Sequence, residues 1–239
     1  METRRVADSG LTDDEASTIP VIVLTAFITL FAPPGHGILA PFSLGAKSIS
    51  LLVIGGGSNT GRAAIELAKL AGIGQIIAVA GSQNEENLRA IGATHVIDRR
   101  APDVLDQIRA ITGDELIYAV DTVNAGLDQE LGVAALSNKK EGTLITLRRP
   151  DGDFDVARVG SKAAGYERRL AFGVSPIHPE LTMKFWDEVP RWYKEGKLRP
   201  SSFEVIKGLD AVIVNQALDK YRYGNERQSF TRVLTRGVL

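Results

Sequence analysis

The chain has 239 residues, 44% of them hydrophobic and 24% charged, which is enough to close one substantial core or two small ones and excludes wholesale disorder. Its 28 Lys plus Arg balance 29 Asp plus Glu, so no basic excess points to nucleic acid or to an anionic membrane. Cysteine is absent, which removes disulfides, thiolate nucleophiles and Cys-bearing zinc sites together; His36, His95 and His178 show no metal-ligand spacing, and no metal is expected.

Residues 1–48 read as a helical entry segment and loop. After a loose or accessory start over 1–12, "DDEASTIPVIVLTAFITLF" from Asp13 predicts two helical pieces separated at Pro20, and "APPGHGILAPFSLGAKS" is rich in turn signals. The apolar run Pro20–Phe31 is 12 residues long, short of the roughly 20 that cross a bilayer, and reads as a buried helix. The acidic stretch before it argues against a secretory signal, so a cytoplasmic location is expected.

Residues 49–176 alternate strand and helix. Strands are predicted at Ile49–Ile54, Gln75–Ala80, His95–Asp98, Leu116–Asp121 and Thr143–Leu147; helices at Gly61–Gly72, Glu85–Ile91, Pro102–Thr112 and Leu127–Leu136. The strands are apolar throughout, as when helices cover both faces. That order specifies an α/β fold with a doubly wound parallel sheet, Rossmann-like, and a dinucleotide-binding domain. Over 177–239, led in by a strand-like "RRLAFGV" (168–174), two further helices and two strands are expected. Phe185, Trp186, Trp192 and Tyr193 on the first of these helices are read as packing rather than as a stacking site.

The stretch "LLVIGGGSNTGRAAIELAKL" (51–70) runs from strand through a glycine loop into a helix. Unpaired N–H groups at a helix start attract phosphate, and a loop without bulky side chains lets it approach. Gly56, Ser58 and Gly61 match the dinucleotide fingerprint G-x-G-x-x-G with Ser at the middle glycine. A P-loop is excluded because Arg62-Ala63 stand where Lys and Ser or Thr are needed, and a nucleophile elbow because Thr60 stands where its second glycine must be. The loop therefore binds and does not itself react. After the second strand comes Gly81-Ser82-Gln83, with no acid to hold both ribose hydroxyls of NAD, which favours NADP. Ser82 is a candidate phosphate donor. Arg99 reads equally as its charge partner or as an ordinary surface arginine, and Glu85 with Glu86 weighs against NADP.

Together with "DDEASTIPVIVLTAFITLF", "AIGATHVIDR", "AVDTVN", "GKLRPSSFEVIKGLDAVIVNQALDKYRYG" and the closing "FTRVLTR", this loop resembles the medium-chain dehydrogenase/reductase superfamily on its zinc-free quinone and enoyl reductase side, including fungal trans-acting enoyl reductases. The resemblance covers nearly the whole chain from Leu11. It implies that Thr25 lies near the nicotinamide, and that Gly56, Ser58, Asn59, Thr60 and Gly61 form the pyrophosphate loop. By the same resemblance Ser82 and Arg99 serve the adenosine-phosphate end; Asp121, Thr122, Val123 and Asn124 flank the nicotinamide ribose, and Phe172, Gly173 and Val174 lie under its ring. Members of the family normally begin with a GroES-like domain. By this resemblance the chain is expected to open where that domain ends and to keep its C-terminal return, roughly Ser201–Leu239, as a remnant, either as a fragment or as a natural short form that has covered its orphan strands again.

The function expected is that of an NADP(H)-binding oxidoreductase reducing an activated alkene (enoyl or enone) or a quinone, in a pathway such as secondary metabolism, on a small-molecule, polyketide-like substrate. The catalytic residues are unknown: Tyr118, Tyr166, Tyr193, Tyr221 and Tyr223 are proton-donor candidates by residue type only, and a water could serve instead. The alternatives are a redox-silent descendant performing a cyclisation or isomerisation, or a cofactor-binding module that needs a partner subunit. A homodimer or a separate subunit would cover the orphan strands; neither nucleic acid nor membrane is an expected partner.

Overall fold

The computed structural model describes residues 9–43, 48–207, 210–222 and 231–235. Tyr223 and residues 1–8 of the expected accessory start lie outside them.

The chain enters through a short helix α1 (Asp13–Ala16), closed by a capping box: Glu15 N donates to Thr12 Oγ1, and Thr12 N donates to the Glu15 carboxylate at 2.8 Å. A π-helical turn, Ile19–Val23, then leads into α2 (Leu24–Phe31). Pro20, the predicted break, sits at the start of that wide turn, where its missing N–H is tolerated. The helical run Asp13–Phe31 is thus 19 residues long, longer than its apolar part, and passes for a membrane span by length and composition. It packs as a core helix: Ile19, Phe27 and Leu30 are fully buried, and the Phe27 ring lies 4.7 Å from that of Phe185.

Six parallel strands form the main sheet: β1 (Ser50–Ile54), β2 (Gln75–Ala80), β3 (His95–Asp98), β4 (Tyr118–Asp121), β5 (Gly142–Thr146) and β6 (Tyr166–Leu170). Their spatial order is β3-β2-β1-β4-β5-β6, the doubly wound Rossmann order. The connecting helices are α3 (Asn59–Leu70), α4 (Glu85–Ile91), α5 (Val104–Thr112), α6 (Glu130–Ala135) and a one-turn α7 (Val156–Val159). One face of the sheet packs on α2, α3 and α8 (Pro179–Lys194), the other on α5 and α6. Phe185, Trp186, Trp192 and Tyr193 are all buried in the first of these layers.

Beyond shifts of one or two residues at the ends of several strands and helices, three departures from the sequence reading stand out. The helix expected from Leu127 begins as a 3-10 turn, Gly126–Gln129, and is helical only over Glu130–Ala135. The helix Val156–Val159, capped by Asp155 accepting from Ala157 N at 2.9 Å, was not anticipated. The strand expected over 168–174 lies instead at Tyr166–Leu170, because the chain turns at Gly173 to press against α2. A second sheet pairs β7 (Phe203–Lys207) with β8 (Thr231–Thr235) in parallel, joined through α9 (Ala211–Arg222).

Candidate functional site

The strand order reverses between β1 and β4, and the crevice beyond their carboxyl ends is where open α/β sheets bind ligands. Register places Ile54, Val79 and Asp121 side by side at that edge. A cleft of about 510 Å³ opens above them, bounded by the β1 loop (Gly55, Gly57, Ser58), the start of α3 (Asn59, Arg62) and the β2 exit (Gly81, Gln83, Asn84). Arg99, Val123, Asn124, Asp128, Leu131 and Ser202 complete the wall.

The loop is shaped by what its glycines lack. Gly55 adopts φ +78°, and a Cβ there would lie 2.5 Å from Thr122 Oγ1. At Gly61 an added Cβ would stand 2.3 Å from the Gly55 carbonyl oxygen, so α3 can start this close to β1 only through glycine. Gly56 N and Gly55 N both donate to Val79 O, at 3.1 and 3.0 Å, which turns the loop back over β2. Ser58 is the N-cap of α3, its Oγ accepting from Gly61 N at 3.0 Å. It also hydrogen-bonds Thr122 Oγ1 at 2.8 Å, and Thr122 Oγ1 lies 3.0 Å from both the Ile54 and the Gly55 carbonyl oxygens.

Asp121 supports the next loop from beneath. Fully buried, it accepts from Val123 N (3.0 Å), Asn124 N (2.9 Å) and Asn124 Nδ2 (2.9 Å). Burial pushes its carboxyl above the usual range, and those three hydrogen bonds hold against the shift. Asp121 therefore orients Asn124 rather than facing a ligand.

The cleft gathers Ser58, Asn59, Arg99, Val123 and Asn124 from the residues read in the sequence, with Gly56, Gly61, Asp121 and Thr122 as its supports. Ser82 and Thr60 are not among the residues lining it; the β2 exit reaches it through Gln83 and Asn84 instead. Thr25 and Gly173 do meet: a Cβ on Gly173 would lie 2.1 Å from Thr25 Oγ1. Phe172 and Val174 flank that contact, 61% and 46% exposed, outside the cleft wall. None of the three tyrosines whose side chains are described lines it either. Tyr118 and Tyr166 start β4 and β6, at the opposite end of the sheet, and Tyr193 is buried on α8, its hydroxyl held protonated by desolvation and by nearby Glu66.

Sequence reasoning did not single out Gly55 and Gly57 within the glycine loop, and it missed Arg62, Asn84, Asp128 and Ser202 as lining residues. The three consecutive glycines and the arginine directly after Gly61 were signals that could have been used. Ser202 was not accessible that way, since it is brought in from far along the chain by Asn59 Nδ2 donating to its carbonyl at 2.8 Å.

The family described as Zinc-binding dehydrogenase matches residues 60–162. A trans-enoyl reductase of Fusarium sp. (strain FN080326) is 32% identical over 201 residues, covering 82% of this chain and 50% of that protein. One of Alternaria alternata is 26% identical over 213 residues, covering 87% of this chain and 61% of its own. A solved structure of an enoyl thioester reductase mutant from Candida tropicalis superposes with TM-score 0.68 at 19% identity, over 95% of this chain and 62% of that one. The chain is thus similar to zinc-binding dehydrogenases over that span and to trans-enoyl reductases over most of its own length. It spans half to three fifths of the length of these two curated relatives. The zinc of the family's description finds no ligand set here: cysteine is absent from the sequence, and among the described residues no group of three His, Asp or Glu side chains could hold a metal. A nicotinamide dinucleotide does fit the residues present: the cleft is floored by Gly55 and Gly57, which carry no side chain, and lies against the first turn of α3, with Ser58, Asn59 and Asn124 on its wall.

Proposed function

We propose that this chain binds NADPH and acts as a medium-chain reductase of the enoyl or quinone type. The observation that carries the reading is the cleft itself: it lies at the reversal of strand order, is floored by a side-chain-free loop, and faces the first turn of α3. The trans-enoyl reductases among its relatives support the substrate class, an activated alkene conjugated to a carbonyl.

In this reading the loop 55–61 and the α3 N-terminus receive the pyrophosphate, and Asn124, fixed by Asp121, offers its amide to the nicotinamide ribose. Thr25, seated on Gly173, and the exposed Phe172 and Val174 beside it offer the surface for the nicotinamide. The bound group supplies a hydride; the protein supplies position. NADPH over NADH is supported by the β2 exit, which carries no carboxylate from Gly81 to Asn84 and faces Arg62 and Arg99.

Calorimetric titration with NADPH and NADH, followed by assays on enones and quinones, tests the proposal. Micromolar NADPH binding with much weaker NADH binding is expected, and no binding of either overturns it.

A second reading, a cofactor-binding module completed by another polypeptide, is favoured by the exposure of Phe172 and Val174 beside Thr25. NADPH binding without turnover on any enone or quinone would select it.

A further inference from the structure

Between α8 and β7 the chain crosses α3 as an irregular strap, residues 199–202. Asn59 and Glu66, about two turns apart on one side of α3, pin it through its backbone. Asn59 Nδ2 donates to Ser202 O at 2.8 Å, and Glu66 Oε2 accepts from Arg199 N at 3.3 Å. Just upstream, buried Leu198 donates its N–H to Trp192 O at 3.2 Å and anchors the strap to α8. All four strap residues line a second cavity, of about 90 Å³, together with Glu66, and Ser202 also lines the cleft. Glu66 itself is absent from the cleft wall.

The Glu66 pin responds to pH and the Asn59 pin does not. Glu66 is buried, with Arg62 and Lys69 one turn to either side on α3 and Arg199 on the strap, all three favouring its charged form. From α8 it is faced by Tyr193, a neutral phenol, with Glu15 of α1 beyond it. The side toward α4 contributes Asn87 and Ile91, which carry no charge. Burial outweighs the three cations and raises the Glu66 carboxyl to about 7. Lifting the strap returns the carboxyl to water and to its ordinary value of 4.5. The seated strap therefore keeps a proton that the lifted strap has released, and its seating weakens as pH rises from about 4.5 to about 7. Ligand phosphates in the adjoining cleft, being negative, favour the neutral carboxyl as well.

We infer that Glu66 is a positioning residue of the dinucleotide cleft: by holding Arg199 N it seats the strap that brings Ser202 to the wall, and its charge state sets how firmly. This rests on the dinucleotide reading above. Affinity is then highest where Glu66 is protonated and falls as it ionises.

The test reads strap and cleft separately, in wild type, Glu66→Gln and Glu66→Met, with folding checked by circular dichroism. Exchange of the Arg199 amide is followed by NMR and expressed relative to its unprotected rate. In wild type its protection is expected to drop at least about tenfold between about pH 5.5 and pH 8. Glu66→Gln, a neutral acceptor of the same shape, should hold its protection over that range; Glu66→Met, which lacks the acceptor, should be poorly protected throughout. The calorimetric Kd of oxidised NADP, which survives acid, should agree between wild type and Glu66→Gln at about pH 5.5 and be at least about threefold weaker in wild type at pH 8. Comparing the two proteins at each pH cancels the titration of the ligand. Protection that does not change with pH in wild type overturns the inference, and so does a pH-dependent strap with equal affinities at pH 8. Binding by neither protein at either pH removes the dinucleotide reading with it. Should Glu66→Gln fail to fold, Glu66→Met decides: a pH-dependent loss of Arg199 protection that survives there, or an affinity equal to wild type at about pH 5.5, overturns the inference.

Discussion

Ser58 and Thr122 hydrogen-bond to each other at 2.8 Å across the tops of β1 and β4, joining the glycine loop to the loop that carries Val123 and Asn124. The direction of the bond follows from the partners. Thr122 Oγ1 has two carbonyls within 3.0 Å that can only accept, so its proton goes to one of them and the Ser58 hydroxyl donates to Thr122. Ser58 Oγ meanwhile accepts from Gly61 N. One relay thus fixes the helix cap, the glycine loop and the far wall of the cleft. Thr122→Val keeps the shape and removes the relay. It should lower stability by about 1–2 kcal/mol in urea unfolding and weaken NADPH binding severalfold; unchanged affinity would show that the relay holds the fold but not the site.

Gly173 marks the closest approach of the β6 exit to α2. A Cβ there would meet Thr25 Oγ1 at 2.1 Å, and also Thr25 Cα and Cβ, both at 2.8 Å. Gly173→Ala should therefore cost about 2 kcal/mol or more in thermal or chemical unfolding, since two backbones must separate. Adding Thr25→Ala should not restore the loss, because Cα remains in the way. Full recovery in the double variant would mean that the clash is with the hydroxyl alone.

What could be read in the sequence and what could not divides along chain separation. The glycine loop, the flanking strand and helix, and the alternation through Thr146 all follow from local pattern, and the structure keeps β2, α4 and β3 at their expected bounds. β6 slipped because "RRLAFGV" is apolar enough to continue as a strand, and only the distant Thr25 requires the chain to turn at Gly173. Ser58 was read as a stand-in for glycine; its use as cap and relay depends on Thr122, 64 residues on. Arg62 and Asn84 lie 22 residues apart, and their meeting is a product of strand order rather than of any motif.

Glu66 should make the protein less stable as pH rises. It is 7% exposed, its Oε2 accepts from Arg199 N at 3.3 Å, and desolvation lifts its carboxyl to about 7 against the pull of Arg199, Lys69 and Arg62. A native state that keeps a proton the unfolded chain has released is favoured at low pH, so stability is lost between about pH 4.5 and pH 7, by at most about 3 kcal/mol. Glu66→Gln can preserve the acceptor for Arg199 N and carries no charge. Its urea midpoint should exceed that of wild type at pH 8 and match it near pH 5; a difference that does not change with pH would reject the assignment.

His36 should produce the opposite slope. The turn after α2 places it under β4: its backbone N donates to Thr29 O at 2.9 Å, its ring stands edge-on to Tyr118 at 5.2 Å, and Nε2–H donates to Ala119 O at 3.0 Å. Nδ1 is sealed from solvent without a partner, so a second ring proton would have nowhere to bond. Burial is the main force lowering its pKa to about 3; the Ala119 carbonyl opposes the shift and the charge of Arg169 adds to it. The unfolded chain takes up that proton from about pH 6.5 downward while the native state refuses it, so stability is present above pH 6.5 and falls with acidification, by about 2 kcal/mol on reaching pH 5. His36→Gln can keep a donor for Ala119 O and has no charge to gain. Between pH 7 and pH 5 its stability should follow only the rise that Glu66 contributes, and in Glu66→Gln/His36→Gln the curve over that range should be close to flat. A steep residual loss toward pH 5 in the double variant would assign the acid sensitivity to another group.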